Sequence, residues 1–326
     1  MKKYILVSLT FLGVLFSIIS CGTTKSNVGE KATFASNSIA DILKYPYPVK
    51  TLNLVSGIDI SYNEEGSSKA TPVLFIHGEG SYMRVWDRSF TILSRNYRCI
   101  RLDLPGYGKS SKGNYQGGMK FYADAVKEFC DRMKIKKVSI VGHSMGGQIA
   151  MTTALLYPNL VEKMVLIAPT GFVDFNYDQK ATLKAVATMA TNKAATDADI
   201  KKNFESFFYK MPPDARFMAD DRLKIRTATD FEEHCNEVAQ DISATTDGNV
   251  LANLQNIKQP ALCIFGKNDG VVPNKTTHPT LNTEGVAKAA TKGMGKCDLL
   301  MMNDAGHFVV WEKAWMINDK IRAFLK

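Results

Sequence analysis

Short apolar runs recur along this chain and alternate with stretches whose apolar residues fall three or four positions apart. The runs include Pro72-Val73-Leu74-Phe75-Ile76, Tyr97 to Asp103, Lys137 to Val141, Lys163 to Pro169, Gln259 to Gly266 and Lys296 to Met302. Several are apolar at consecutive positions rather than at every second one. That pattern suits parallel strands covered on both faces. Leu52 to Tyr62 differs, because Ser56-Gly57 divides it and Ile58 to Tyr62 alternates, as a hairpin does. Helical spacing marks Trp86 to Ser94, Phe121 to Met133, Gly147 to Leu156 and Trp311 to Leu325. Strands and helices taken in turn predict βαβ units and a parallel sheet.

The alternation stops between residues 171 and 249. This region carries helical patterns over Lys180 to Ala190, Asp197 to Tyr209 and Asp230 to Thr245, a break at Met211-Pro212-Pro213, and no strand-like run. It reads as a helical cap inserted between strands. Its aromatics, among them Phe204, Phe207, Phe208 and Tyr209, are expected mostly to pack the cap, with a few lining a cleft. The stretch from Gly270 to Asp298 reads as a long surface loop or an extra wall of a site. The expected fold class is therefore α/β: a mostly parallel, doubly wound sheet built from residues 51–170 and 250–326, with residues 171–249 as the cap.

The N-terminus stands apart. Lys2 and Lys3 precede an apolar run from Tyr4 to Ser20, which ends Ile18-Ile19-Ser20-Cys21-Gly22. The order apolar, apolar, small, cysteine resembles a bacterial lipoprotein signal. The resemblance implies that residues 1–20 are removed and that Cys21 carries a lipid. The protein would then be held at the bacterial cell envelope, facing outside the cytoplasm. Residues 21–50, polar at first, are expected to form a flexible tether.

Composition adds a few bounds. Of 326 residues, 45% are hydrophobic and 22% charged, which is ordinary for a globular protein with a large core. The net charge is +9, but no basic block is interleaved with aromatics, so nucleic acid is not an expected partner. Cys99, Cys130, Cys235, Cys263 and Cys297 are scattered without a CxxC or Cys/His spacing. They read as buried thiols, and no metal or cofactor is expected.

The chemistry centres on Gly142-His143-Ser144-Met145-Gly146, which joins a strand-like run to a helix-like one. A serine between glycines at such a corner fits a sharp turn that lifts its hydroxyl clear of the sheet. Four more motifs follow predicted strands: His77-Gly78, Asp103 to Ser110, Gly266-Lys267-Asn268-Asp269 and Ala305-Gly306-His307-Phe308. In this order, over Leu52 to Lys326, the chain resembles the α/β-hydrolase superfamily, in its capped Ser-nucleophile, esterase-like branch.

The resemblance implies Ser144 as nucleophile, His307 as general base and Asp269 as the orienting acid, with Asp174 a weaker rival for the acid. The backbone amides of Glu79 and Met145 would form the oxyanion hole. Asp103 to Ser110 would shape the rim. The implied reaction is hydrolysis of a small to medium carboxylic ester through an acyl-enzyme. A C–C bond hydrolase, lactonase, amidase or perhydrolase would use the same triad, and a non-catalytic envelope lipoprotein that binds a small ligand is a further alternative. Glu79 departs from the family pattern, since a carboxylate beside a developing oxyanion would oppose it. Its side chain is expected to turn to solvent, to pair with Arg84, or to contact substrate.

Overall fold

Eight strands form one sheet in a computed structural model that describes residues 37–115, 118–248 and 250–326. The signal segment 1–20 and Cys21 lie outside the described residues. The strands are β1 (Lys50–Asn53), β2 (Asp59–Glu65), β3 (Pro72–Ile76), β4 (Arg98–Leu102), β5 (Val138–His143), β6 (Val161–Ile167), β7 (Ala261–Gly266) and β8 (Cys297–Met302). Their spatial order is β1-β2-β4-β3-β5-β6-β7-β8. The β1–β2 and β2–β4 pairs are antiparallel, and every other pair is parallel. The expected α/β fold with a mostly parallel sheet is what the chain adopts.

From β3 the chain moves to β4 on one side and then crosses to β5 on the other. The crevice at the C-terminal ends of β3 and β5 is thus a point where the winding direction reverses, and ligands bind at such points. Register lines these ends up: Ile76 pairs with Gly142, Gly142 with Leu166, Ile167 with Ile264 and Gly266 with Met302. Loops leaving β3, β5, β7 and β8 therefore emerge along one edge.

Both faces of the sheet are covered, which is why its central runs are continuously apolar. One face packs against the helices Gly118–Arg132, Met145–Leu156 and Thr283–Met294, with Leu74, Ile76, Ile140, Tyr122, Phe129 and Cys263 in its core. The other packs against Asp87–Leu93 and Ala314–Leu325 around Phe75, Trp86, Phe90, Val141 and Ile264. Trp86 and Phe90 are completely buried, and truncating either to alanine costs about 3–5 kcal/mol.

Residues 171–249 carry the helices Tyr177–Val186, Met189–Ala194, Asp197–Ser206, Phe217–Lys224 and Phe231–Asp247. The pattern read as one helix over Lys180 to Ala190 is interrupted because Thr188 Oγ1 accepts from Thr191 N (3.1 Å) and starts a new helix. The stretch read as a loop from Gly270 to Asp298 contains the helix Thr283–Met294. Asn282 caps it, accepting from Gly285 N at 2.8 Å. This helix restores the β–α–β alternation between β7 and β8. The terminal helix comes in two pieces, Val309–Glu312 and Ala314–Leu325, with Lys313 out of helical geometry between them.

The segment read as a tether to residue 50 differs in its last part. Ile39–Ile42 is helical, and Ile39 and Leu43 are buried against Ile225, Phe231 and Cys235 of the cap region. A motif this short has too few apolar positions to show a period.

Candidate active site

At the end of β5 the chain turns sharply at Ser144, with φ 53° and ψ −121°, a conformation that disfavours any side chain. The flanking glycines leave room for this turn. A Cβ on Gly146 would lie 2.2 Å from the Ile76 carbonyl oxygen, and one on Gly142 would lie 2.3 Å from that of Gly146. The Ser144 amide donates to Ile167 O on β6 at 2.9 Å, which ties the corner to the sheet. Met145 opens the following helix, so its N–H belongs to the helix's unpaired first turn and its positive dipole end.

The loop after β3 lies against this corner. A Cβ on Gly78 would be 2.9 Å from the Ser144 Cβ. Leu104 N donates to His77 Nε2 (3.0 Å), so the ring's proton is on Nδ1 and is donated to Gly78 O (2.7 Å). Burial holds His77 at about 4, and the neutral ring serves as a brace between two loops. Asp103 completes the brace: its carboxylate accepts from Met83 N (2.7 Å), Lys109 N (2.8 Å) and Tyr45 Oη (2.7 Å). The loop from Asp103 to Ser110 is thus tied to the segment that follows β3.

After β7 and β8 come Asp269 and His307. Asp269 Oδ2 accepts from His307 Nδ1 at 2.9 Å, with both residues almost fully buried. The second carboxylate oxygen, Oδ1, accepts from the amides of Val271 (2.8 Å) and Val272 (3.1 Å), so the acid is oriented by backbone. Thr283 Oγ1 donates to the Asp269 carbonyl (3.1 Å). Gly306, next to the histidine, is packed under the cap, where a Cβ would meet Phe207 O at 2.6 Å. Phe308 N donates to that same carbonyl (3.2 Å).

Among the described residues, His307 is the only one of the five histidines that holds a carboxylate. His77, His143, His234 and His278 each place a ring nitrogen on a backbone carbonyl: Gly78, His307, Gly106 and Asp174 respectively. His143 packs its ring 4.9 Å from that of His307, and burial keeps it neutral. Among the described residues, Ser144 Oγ makes no hydrogen bond. The structure brings Asp269 to His307, while Asp174 is exposed and accepts from the Phe175 amide instead.

A cavity of about 550 Å³ opens between this edge and the cap, lined by Glu79, Phe204, Phe207, Phe308, Ile200, Val238 and Arg222 among others. Phe204 and Phe207 thus face the cleft, whereas Tyr209 is 54% exposed outside it. The sequence singled out neither Arg222 nor Val238, because cap helices carry no signal for which face closes a site.

Glu79 does not meet the expectation of an ion pair with Arg84. Arg84 is taken by Asp87 (3.4 Å) and Asp221 (3.1 Å), so it does not pair with Glu79. Its side chain is half-buried at the cavity wall, where desolvation, then the nearby Asp241, pushes the carboxyl up to about 8. Asp241 and Glu237 lie on the inner face of the helix Phe231–Asp247. Tyr107 and Tyr122 donate to Asp241, and Tyr122 also donates to Glu237 (2.6 Å). Burial raises Asp241 to about 7 and Glu237 to about 8. This cluster was not legible in sequence, since its members come from separate elements.

Comparison with known proteins agrees with this geometry. A family model described as "alpha/beta hydrolase fold" matches residues 71–314. The chain is 28% identical over 299 residues to a "dihydrolipoyllysine-residue acetyltransferase component of acetoin cleaving system" from Pseudomonas putida, covering 91% of this chain and 74% of that one. It is 27% identical over 293 residues to a "2-hydroxy-6-oxononadienedioate/2-hydroxy-6-oxononatrienedioate hydrolase" from Paraburkholderia phymatum, covering 85% and 95%. A crystal structure of a probable hydrolytic enzyme from Pseudomonas aeruginosa superposes with a TM-score of 0.79 at 22% identity, covering 89% and 98%. With the matched model spanning most of the chain, the sheet order and the strand-end motifs, the protein belongs to the α/β-hydrolase fold family.

Proposed function

We propose that this protein is a serine hydrolase that cleaves a small to medium carboxylic ester. The observation that carries the proposal is the buried Asp269–His307 hydrogen bond on the same sheet edge as the strained turn at Ser144. In this reading Ser144 Oγ attacks the ester carbonyl while His307 Nε2 takes its proton. The Glu79 and Met145 amides stabilise the oxyanion, and neither donates to another group among the described residues. His307 then protonates the departing alcohol, leaving Ser144 acylated. Water, activated by the same imidazole, releases the acid. Asp269 holds the ring with Nδ1–H toward itself and stabilises the imidazolium that forms in each half-reaction. The largely apolar lining of the cavity supports a substrate with an apolar acyl or alcohol group.

The order Lys2, Lys3, apolar run, Cys21 supports a lipid anchor at Cys21, with the domain at the envelope outside the cytoplasm. A second reading, C–C bond hydrolysis, is favoured by the relative from Paraburkholderia phymatum, whose name describes a dioate hydrolase. A panel of chromogenic esters of increasing chain length, with lactones, amides and a vinylogous 1,5-diketone, separates the readings. Turnover of esters by wild type, reduced about 10⁴–10⁶-fold in Ser144→Ala, is expected. Turnover of the diketone alone would replace the ester proposal with the second reading.

A further inference from the structure

We infer that the Glu79 side chain determines specificity by donating a hydrogen bond to an uncharged oxygen acceptor beside the scissile carbonyl. The inference rests on the proposed ester hydrolysis and names a feature of its substrate. Glu79 follows His77-Gly78, on the loop packed against Ser144, and it lines the cavity. Its carboxyl has no hydrogen bond or ion pair among the described residues. Buried carboxylates here do have partners: Asp103 has two amides and a hydroxyl, and Asp221 has Tyr82 (2.6 Å) and Arg84 (3.1 Å). A half-buried, unpartnered carboxyl on a cavity wall is free to hydrogen-bond with whatever enters the cavity.

The surroundings favour the protonated form. Asp241 acts on it from the helix Phe231–Asp247 and Tyr107 from the loop after β4. Asp199, Lys202 and Arg222 line other parts of the cavity, and none is ion-paired with Glu79. Burial and Asp241 together push Glu79 up to about 8. A neutral acid can donate a proton in a hydrogen bond and does not oppose an oxyanion forming beside it. Once ionised it would do the reverse on both counts. Esters carrying an ether or keto oxygen near the carbonyl should therefore be preferred over their methylene counterparts, and anionic groups should be rejected there.

Two pairs of esters test this: p-nitrophenyl methoxyacetate against butyrate, and 2-methoxyethyl acetate against butyl acetate. Each is assayed from about pH 6 to 10 with wild type, Glu79→Gln, Glu79→Leu, Asp241→Asn and Ser144→Ala. In wild type, kcat/KM for the oxygen-bearing ester is expected to decline above about pH 8. Glu79→Gln, whose amide donates but does not ionise, should remove that decline. Asp241→Asn should move it to lower pH, since the Asp241 charge helps hold Glu79 protonated. Glu79→Leu should cut the oxygen-over-methylene ratio in at least one pair by about 3–10-fold, the value of one hydrogen bond. The inference is overturned if Glu79→Gln keeps the alkaline decline, or if Glu79→Leu leaves both ratios as in wild type. Turnover that survives in Ser144→Ala, or no turnover by wild type, overturns the ester reading and this inference with it. Turnover lost in Ser144→Ala but indifferent to Glu79 sinks this inference alone.

Discussion

Replacing Ser144 by glycine should stabilise the fold relative to Ser144→Ala, although both variants lack the hydroxyl. With φ 53° and ψ −121°, Ser144 lies outside even the small left-handed region open to ordinary residues. Such strain costs of order 1–3 kcal/mol, and this ψ puts Ser144 toward the upper end. Alanine keeps all of it, and glycine removes it. Against that, glycine loses about 0.5–1 kcal/mol more backbone entropy on folding. It also forfeits one buried methyl, worth about 0.8 kcal/mol, at a position only 8% exposed. The balance favours glycine by about 1 kcal/mol. For a chain of this size that is about 2 °C in Tm. Thermal unfolding of the two inactive variants, followed by circular dichroism, measures the difference directly. A Tm for Ser144→Gly equal to or below that of Ser144→Ala would show that the turn stores no strain.

The other expectations concern packing, orientation and pH. Gly146→Ala places a Cβ 2.2 Å from Ile76 O, a backbone atom that cannot swing away, so it should lower stability by about 3 kcal/mol or more in denaturant titration. Asp269→Asn should reduce kcat by about 10²–10⁴-fold, less than His307→Ala, because it disturbs the tautomer but keeps the ring. Asp174→Asn should be close to wild type, and the opposite ranking would reassign the acid. Stability should fall between about pH 6.5 and 8.5. Glu237 and Asp241 are held at about 8 and about 7 in the folded state, so the folded state binds more protons than the unfolded one from about pH 4 to 8, and raising pH removes stability. The buried His77 and His234, held at about 4 and about 3, act oppositely, but only below about 6.5. A flat Tm from pH 6.5 to 8.5, or a fall unchanged in Asp241→Asn, would count against this.

Much of the scaffold could be read from sequence because it follows from local rules. Doubly covered strands such as β3 and β5 must be apolar at successive positions, and so they stand out. The turn at Ser144 needs glycines at fixed offsets, for the steric reason that their Cβ atoms would strike carbonyl oxygens. His307 and Asp269 were legible through their order after the last two strands, and the structure joins them by a hydrogen bond. What escaped depends on tertiary context. The helix Thr283–Met294 buries Val286, Ala287, Ala290 and Met294 on one face, but Gly285 and Gly293 within it are poor helix formers that read as loop. The helix Phe217–Lys224 has Asp220 and Asp221 at its centre, and only the fold shows that Asp221 is buried against Tyr82 and Arg84. Glu79 was the hardest to read. Its state depends on Asp241, more than a hundred residues away, and on burial that no local pattern encodes.

Active-site labelling tests Ser144 as the nucleophile most directly. The full-length protein is incubated with a fluorophosphonate and digested, and the adduct is located by mass spectrometry. One adduct per chain is expected, on Ser144, with labelling lost in Ser144→Ala and slowed by orders of magnitude in His307→Ala. Folded protein that takes no label, or that labels at another residue, would contradict the assignment.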